Sequence, residues 1–288
     1  MTARNPGSWR AAAGGWGFVL PALLWTVAFF AMPLGIMGLY SLWQRVGMKL
    51  VTDFTTANYE NFFAKSFFFQ SLVNSLEVTA IVTVVSVLLA YPLAYILAEK
   101  VPPRWQRMAL LLAVLPFWTS YVVRSYSWLL VLSEGGILSN WLLDLGVTEA
   151  PVSFANSRGA TVVGFVHFFV MLLTLTIYAN LVQLPPSYRK AAADLGAGPV
   201  RSFLYVVLPL TLPGVMVGAF LTFVLCIGDY ITPQILGGNR ELLLPQTIML
   251  QIARRSDFPM ASALAMVLMA VVSLVYLACA RWLKLERM

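Results

Sequence analysis

Residues 185–214 read PPSYRKAAADLGAGPVRSFLYVVLPLTLPG, the least membrane-like stretch in the second half of an otherwise apolar chain. Pro185 and Pro186 end the run before them, because proline lacks a backbone donor and crowds the preceding turn. Ser187 is expected to N-cap a short helix through Arg189, Lys190 and Ala191 to Ala193, alanine being the best helix former. That helix, with Asp194 near its end, is expected to stop at Gly196, which tolerates the left-handed backbone of a helix C-terminus. A second segment starts near Pro199, carries Arg201 and runs into Leu208-Pro209, where the next apolar run begins. The segment reads as a helix-turn-helix that docks on another protein. Its small residues Ala191, Ala192 and Ala197 let a partner come close, and Gly196 lets the chain turn. The other reading is an ordinary interhelical loop rich in alanine and proline.

The surroundings of this stretch are membrane. Of 288 residues, 60% are hydrophobic and 11% charged, and mean hydropathy is +0.80; soluble domains carry about 25% charged residues. A span needs about 20 mainly apolar residues. Six runs qualify, at about 16–42, 71–98, 105–132, 158–184, 208–232 and 258–283, and predict an all-α polytopic protein forming a single transmembrane domain. The first run follows Arg4 and Arg10 but is too long for a signal peptide, so it is read as a retained anchor. Pro21 and Pro33 within it are tolerated in a packed membrane helix.

Lys and Arg counts orient the spans. One set of connections, holding both termini and the 185–207 loop, has eleven basic and three acidic residues; the other has seven of each. Both termini and the loop are therefore expected in the cytoplasm. The three outer connections, about 43–70, 133–157 and 233–257, each hold apolar or aromatic residues, such as Phe67 to Phe69 in the first and Trp141 in the second, and are expected to form short interfacial helices. Gly214 and Gly218 have the GxxxG spacing that permits close helix packing, which suggests an interior fifth span. The net charge of +7 is a matter of topology here and implies no nucleic-acid partner. Cys226 and Cys279 both fall in apolar runs, with no disulfide or zinc pattern.

No GxxxxGK[ST] occurs, so the chain has no P-loop with which to cradle a nucleotide. His167, in the middle of the fourth span, is read as a neutral residue bonded to a neighbouring helix. Three ionisable residues lie inside spans, where charge is costly: Glu77, Arg124 and Asp229. All three fall roughly 6–12 Å from the outer ends of their spans. They form either a structural ion cluster or, with the stripe Trp118, Tyr121, Ser125 and Trp128 at helical spacing, a face for an organic cation. In the second reading Glu77 is held by Arg124, while Asp229, beside Tyr230 and just before a break at Thr232-Pro233, meets the solute.

Residues 190–209 resemble the EAA loop of ABC importer permeases. Lys190-Ala191-Ala192, then Gly196, then Val206, Leu208 and Pro209 fall on its positions, with lysine where the family has glutamate. LPFWTSYVVRSYSWLLVL at 115–132, GDYITPQILGG at 228–238 and SDFPMASALA at 256–265 are similar to the spermidine/putrescine class of these permeases. The resemblance implies a six-span permease of the type I ABC importer fold in a bacterial inner membrane. It implies two ATPase subunits that bind ATP and Mg, a second permease, and an extracytoplasmic binding protein. This chain would bind no cofactor and catalyse no reaction. Its dock would comprise Ser187, Arg189, Lys190, Ala191, Ala192, Asp194, Gly196, Ala197 and Pro209. The rival is an ion-gradient-driven secondary transporter or channel using Glu77 and Asp229 as carriers, which leaves the helix-turn-helix unexplained; the same ABC fold importing another small organic solute is the other alternative.

Overall fold

The computed structural model describes residues 19–239 and 241–283, with side chains as far as Ala280. Arg4, Arg10, Arg240, Lys284, Glu286, Arg287 and the start of the first run lie outside the described residues, as does the side chain of Arg281. In chain order the helices are α1 (Val19–Ser41), α2 (Ala57–Ala64), α3 (Ser66–Glu99), α4 (Pro103–Val114, prolonged by a 3-10 turn Leu115–Trp118), α5 (Tyr121–Leu132), α6 (Ile137–Asp144) and α7 (Arg158–Gln183). They continue with α8 (Pro186–Asp194), α9 (Pro199–Ile227), α10 (Ile231–Leu236), α11 (Leu244–Ala253) and α12 (Phe258–Leu283). One antiparallel hairpin, β1 (Gln44–Val46) with β2 (Lys49–Val51), follows α1. Helices α1, α3, α7, α9 and α12 are long and apolar enough to cross a membrane, and the bent pair Pro103–Trp118 and Tyr121–Asp144 makes a sixth crossing if counted as one span. The connections expected on the outer side hold short helices: α2, α6, α10 and α11.

The third span differs from the straight helix expected over 105–132. Its two halves meet at 86°, because Pro116 withholds a donor and Thr119 and Ser120 adopt extended backbone between them. The fifth span differs too. It starts at Pro199, well before Leu208, and ends at Ile227. Pro209 does not interrupt it: the π-helical turn Phe203–Val207 precedes the proline, and Leu208 N–H reaches back to the Phe203 carbonyl. The same device precedes Pro33 in α1, where Met32 N–H bonds the Val27 carbonyl across the turn Val27–Ala31. A π-turn shifts the hydrogen-bond register by one residue, which is one way a helix absorbs a lost donor.

The chain divides into two compact units, one of residues up to 64 with 250–267, the other of 65–249 with the remainder of α12. In the first, Asn58 Nδ2 donates to the carbonyls of Ser41 (3.0 Å) and Trp43 (2.6 Å), tying α2 to the end of α1. The second is built on α3, α7 and α9. Ala90, Tyr91 and Ala94 meet Leu173, Ile177, Leu181, Val207 and Val215 towards one end, and Val78 and Val82 meet Phe165, Phe169 and Cys226 towards the other. Lipid is as apolar as leucine, so close packing and small residues hold such helices together. Gly214 and Gly218 act as the GxxxG spacing predicts: a Cβ at Gly214 would collide with the Asn180 amide, and one at Gly218 would lie 3.0 Å from Leu173. Near the start of α3 the contact is polar, with Thr247 and Ser71 hydroxyls 3.0 Å apart and Leu244 N–H donating to Ser75 Oγ at 2.7 Å.

Candidate functional site

The 185–202 stretch is a helix-turn-helix, as read. Its N-terminus differs from the expectation. Helix α8 begins at Pro186, with Pro185 in the cap position and no side-chain cap bond, so Ser187 lies in the first turn. Proline at the first helical position loses no bond and arrives with its φ preset. At the other end Leu195 is the C-cap and Gly196 has φ +77°. Gly196 N–H bonds the Ala193 carbonyl and Ala197 N–H the Ala192 carbonyl, both at 2.9 Å, the paired bonds of a Schellman turn. The turn stands out from the chain: Leu195 is 89% exposed and Val200 68% exposed, and Tyr188, Lys190, Ala191 and Asp194 are exposed as well. Ala192 is buried, Ala197 half-buried, and Pro209 lies far along α9. Exposed leucine, valine and tyrosine thus surround the turn as an apolar knob.

Arg189 points the other way. Its Nη1 lies 2.5 Å from Glu99 Oε1 at the end of α3. The sequence reading counted Glu99 only as one of three acids in a strongly basic set of connections and gave it no partner.

The three ionisable residues of the spans do not form one cluster. Glu77 is paired with Arg158 at the start of α7, Oε2 to Nη2 2.5 Å, and Arg158 Nη1 is 4.0 Å from Glu241. The expected Glu77–Arg124 pair is therefore replaced, because the guanidinium of Arg124 turns inward. Its Nη2 donates to the carbonyls of Pro116 (2.8 Å), Thr119 (3.0 Å) and Phe117 (3.3 Å), and its charge sits 5.5 Å from the centre of the Phe168 ring. The 86° break takes the Phe117 and Thr119 carbonyls out of the helical ladder, and Arg124 supplies the substitute donor from the next helix.

Asp229 occupies the second break, between α9 and α10. Its Oδ1 accepts Ile231 N–H at 2.8 Å and its Oδ2 accepts the Thr232 hydroxyl at 3.0 Å. Oδ2 also accepts the Tyr121 hydroxyl. The break falls at Gly228–Tyr230, ahead of the expected Thr232-Pro233, since Pro233 fits the first turn of α10. Tyr121 is the first residue of α5, so this contact joins the two breaks. The aromatic stripe is divided: Trp118 lies before the 86° break and is 81% exposed, whereas Ser125 is buried within α5 and bonds the Tyr121 carbonyl. Trp128 Nε1 donates to His167 Nδ1 at 2.8 Å, so the histidine bonds a neighbouring helix as read. Tyr230 is exposed beside the second break. No cluster of metal-ligating side chains occurs among the described residues.

A family profile described as the binding-protein-dependent transport system inner membrane component matches residues 24–284. The chain belongs to this family. The spermidine/putrescine transport system permease protein PotB of Haemophilus influenzae is 32% identical over 256 residues, spanning 88% of this chain and 89% of that protein. PotB of Escherichia coli is 30% identical over 254 residues, spanning 88% and 92%. A chain of a bacterial alginate ABC transporter, crystallised with an alginate-pentasaccharide-bound periplasmic protein, superposes with a TM-score of 0.79 over 96% of this chain and 98% of that one, at 16% identity. The fold is thus that of ABC importer permeases. A binding-protein-dependent inner-membrane component is a multi-pass transport subunit and not an enzyme. It works with ATPase, permease and binding-protein partners.

Proposed function

We propose that this inner-membrane component carries polyamines inward, as one of two different permease subunits set on two ATPases, with both termini and the 186–202 dock in the cytoplasm. The observation that carries the ATP-driven part is the exposed Schellman turn at Leu195–Ala197, a rigid knob between two spans with apolar residues facing outward. Likeness to two spermidine/putrescine permeases over nearly nine-tenths of the chain supports the solute. Asp229, Glu77, Trp118, Tyr121, Arg124, Ser125, Trp128 and Tyr230 are assigned to the translocation pathway or its walls. With Glu77 held by Arg158 and Asp229 capping α10, these two carboxylates shape the pathway before they touch a solute.

The test is reconstitution of the permease pair with its ATPase in proteoliposomes. ATP hydrolysis and uptake are followed with the binding protein loaded with spermidine, putrescine, an amino acid or an oxyanion. Stimulation by the polyamines alone is expected; stimulation by another solute alone would replace the substrate reading and leave the importer reading intact. Gly196→Asp is expected to abolish the stimulation. The side chain itself meets open space, since nothing lies within 4 Å of a Cβ there, so the fold has to absorb only a strained φ of about 1–2 kcal/mol while the partner's cleft meets a new charge.

A further inference from the structure

We infer that Arg189 and Glu99 fasten the coupling helix α8 to the end of α3, so that α3 is drawn along when the ATPases move the dock; this rests on the dock reading above. Helices α7 and α9 need no such fastening, because α8 is joined to each through a short stretch of chain. Helix α3 is not: Glu99 precedes Arg189 by ninety residues. The link it has is built from side chains. Arg189 and Glu99 meet at 2.5 Å with side chains only 26% and 21% exposed. Arg189 Nε and Nη2 are buried without a hydrogen-bond partner among the described residues, so Glu99 supplies the compensation for a poorly hydrated cation. Removing one partner from such a pair is costly, whereas replacing both together need not be.

The contact continues on the same face of α3. Tyr91, Tyr95 and Glu99 recur every fourth residue and so line one side of the helix. Phe203, in the π-turn at the base of α9, stands edge-on to both rings, at 5.7 Å and 77° from Tyr91 and 5.1 Å and 75° from Tyr95. Two turns further along α9, Thr211 Oγ1 lies 2.8 Å from the Tyr91 hydroxyl. The carboxylate thus holds the first arm of the helix-turn-helix and the two rings hold the second. A dock that moved without α3 would have to break the ion pair, pull Phe203 off two rings and break the Tyr91–Thr211 bond.

The experiment uses the full complex in proteoliposomes and reads stimulated hydrolysis and uptake per assembled complex. Glu99→Gln is expected to lower stimulation by roughly tenfold, and the exchange Glu99→Arg with Arg189→Glu to bring it back to within about twofold. A second form carries Glu99→Cys and Arg189→Cys, with Cys226→Ala and Cys279→Ala. Coupling is expected to be low before bridging with a short bismaleimide and restored after it, because a covalent tie replaces the ionic one. Transport blocked by the bridge would mean that α8 and α3 separate during the cycle, which overturns the inference. So would full stimulation in Glu99→Gln. Absence of stimulation in the unaltered complex would instead overturn the dock reading.

Discussion

At the scale of the residue, the costly groups inside the membrane serve first to mend the backbone. Arg124 returns donors to the Phe117 and Thr119 carbonyls at the first break, and Asp229 accepts from the N–H of Ile231 at the second. Asp229→Asn keeps an acceptor for Ile231 but puts an amide in place of the oxygen that takes the Tyr121 and Thr232 hydroxyls. A hydrogen bond to a charged group contributes about 1.5–3 kcal/mol, so Asp229→Asn is expected to lower the melting temperature of the detergent-solubilised complex, with Tyr121→Phe milder. The double variant should cost less than the sum, since both remove the same bond. Thermal unfolding checks this. An unchanged melting temperature combined with lost uptake would return Asp229 to direct contact with the solute.

At the scale of the element, five of six spans could be read from apolar runs, because a helix in lipid must be long and nearly uncharged. The third run met the same test and concealed a break. Pro116 and the Thr119-Ser120 pair were its signal, but prolines also stand within unbroken α3 at Pro92 and α9 at Pro213, so proline alone does not decide. The ion pairs were beyond reach of spacing arguments, since Glu77 finds Arg158 across 81 residues and periodicity speaks only of neighbours on one helix. The helix-turn-helix was legible because its turn chemistry is local: Ala193, Gly196 and Pro199 each act through their own backbone. The GxxxG spacing also told correctly of close packing. Gly214→Ala would drive a methyl into the Asn180 amide; overpacking of this kind typically costs about 1–3 kcal/mol. A lower melting temperature is expected, relieved by Asn180→Ala in the same chain.

At the scale of the whole molecule, the charge imbalance between the two sets of connections is the basis of the proposed orientation. In a chain with its native cysteines replaced, Gly198→Cys is expected to react with impermeant thiol reagents only from the cytoplasm, and Asn239→Cys only from outside. Both positions are exposed, so access is decided by the side of the membrane. Labelling of Gly198→Cys in intact cells from outside would invert the topology and detach the dock from any ATPase.

The uninterrupted helix Pro199–Ile227 has a mechanical meaning. Its 29 residues form a rod roughly 44 Å long at 1.5 Å per residue, rooted in the dock and ending at the Asp229 break. A tilt of about 10° at the root would carry the tip sideways by roughly 7–8 Å over that length. Since Tyr121 is tethered to the carboxylate at the tip, the sweep would reach the broken third span as well. The π-turn at Phe203–Val207 is then the compliant part of a lever, placed close to the fulcrum, where a small angular give is magnified most at the far end.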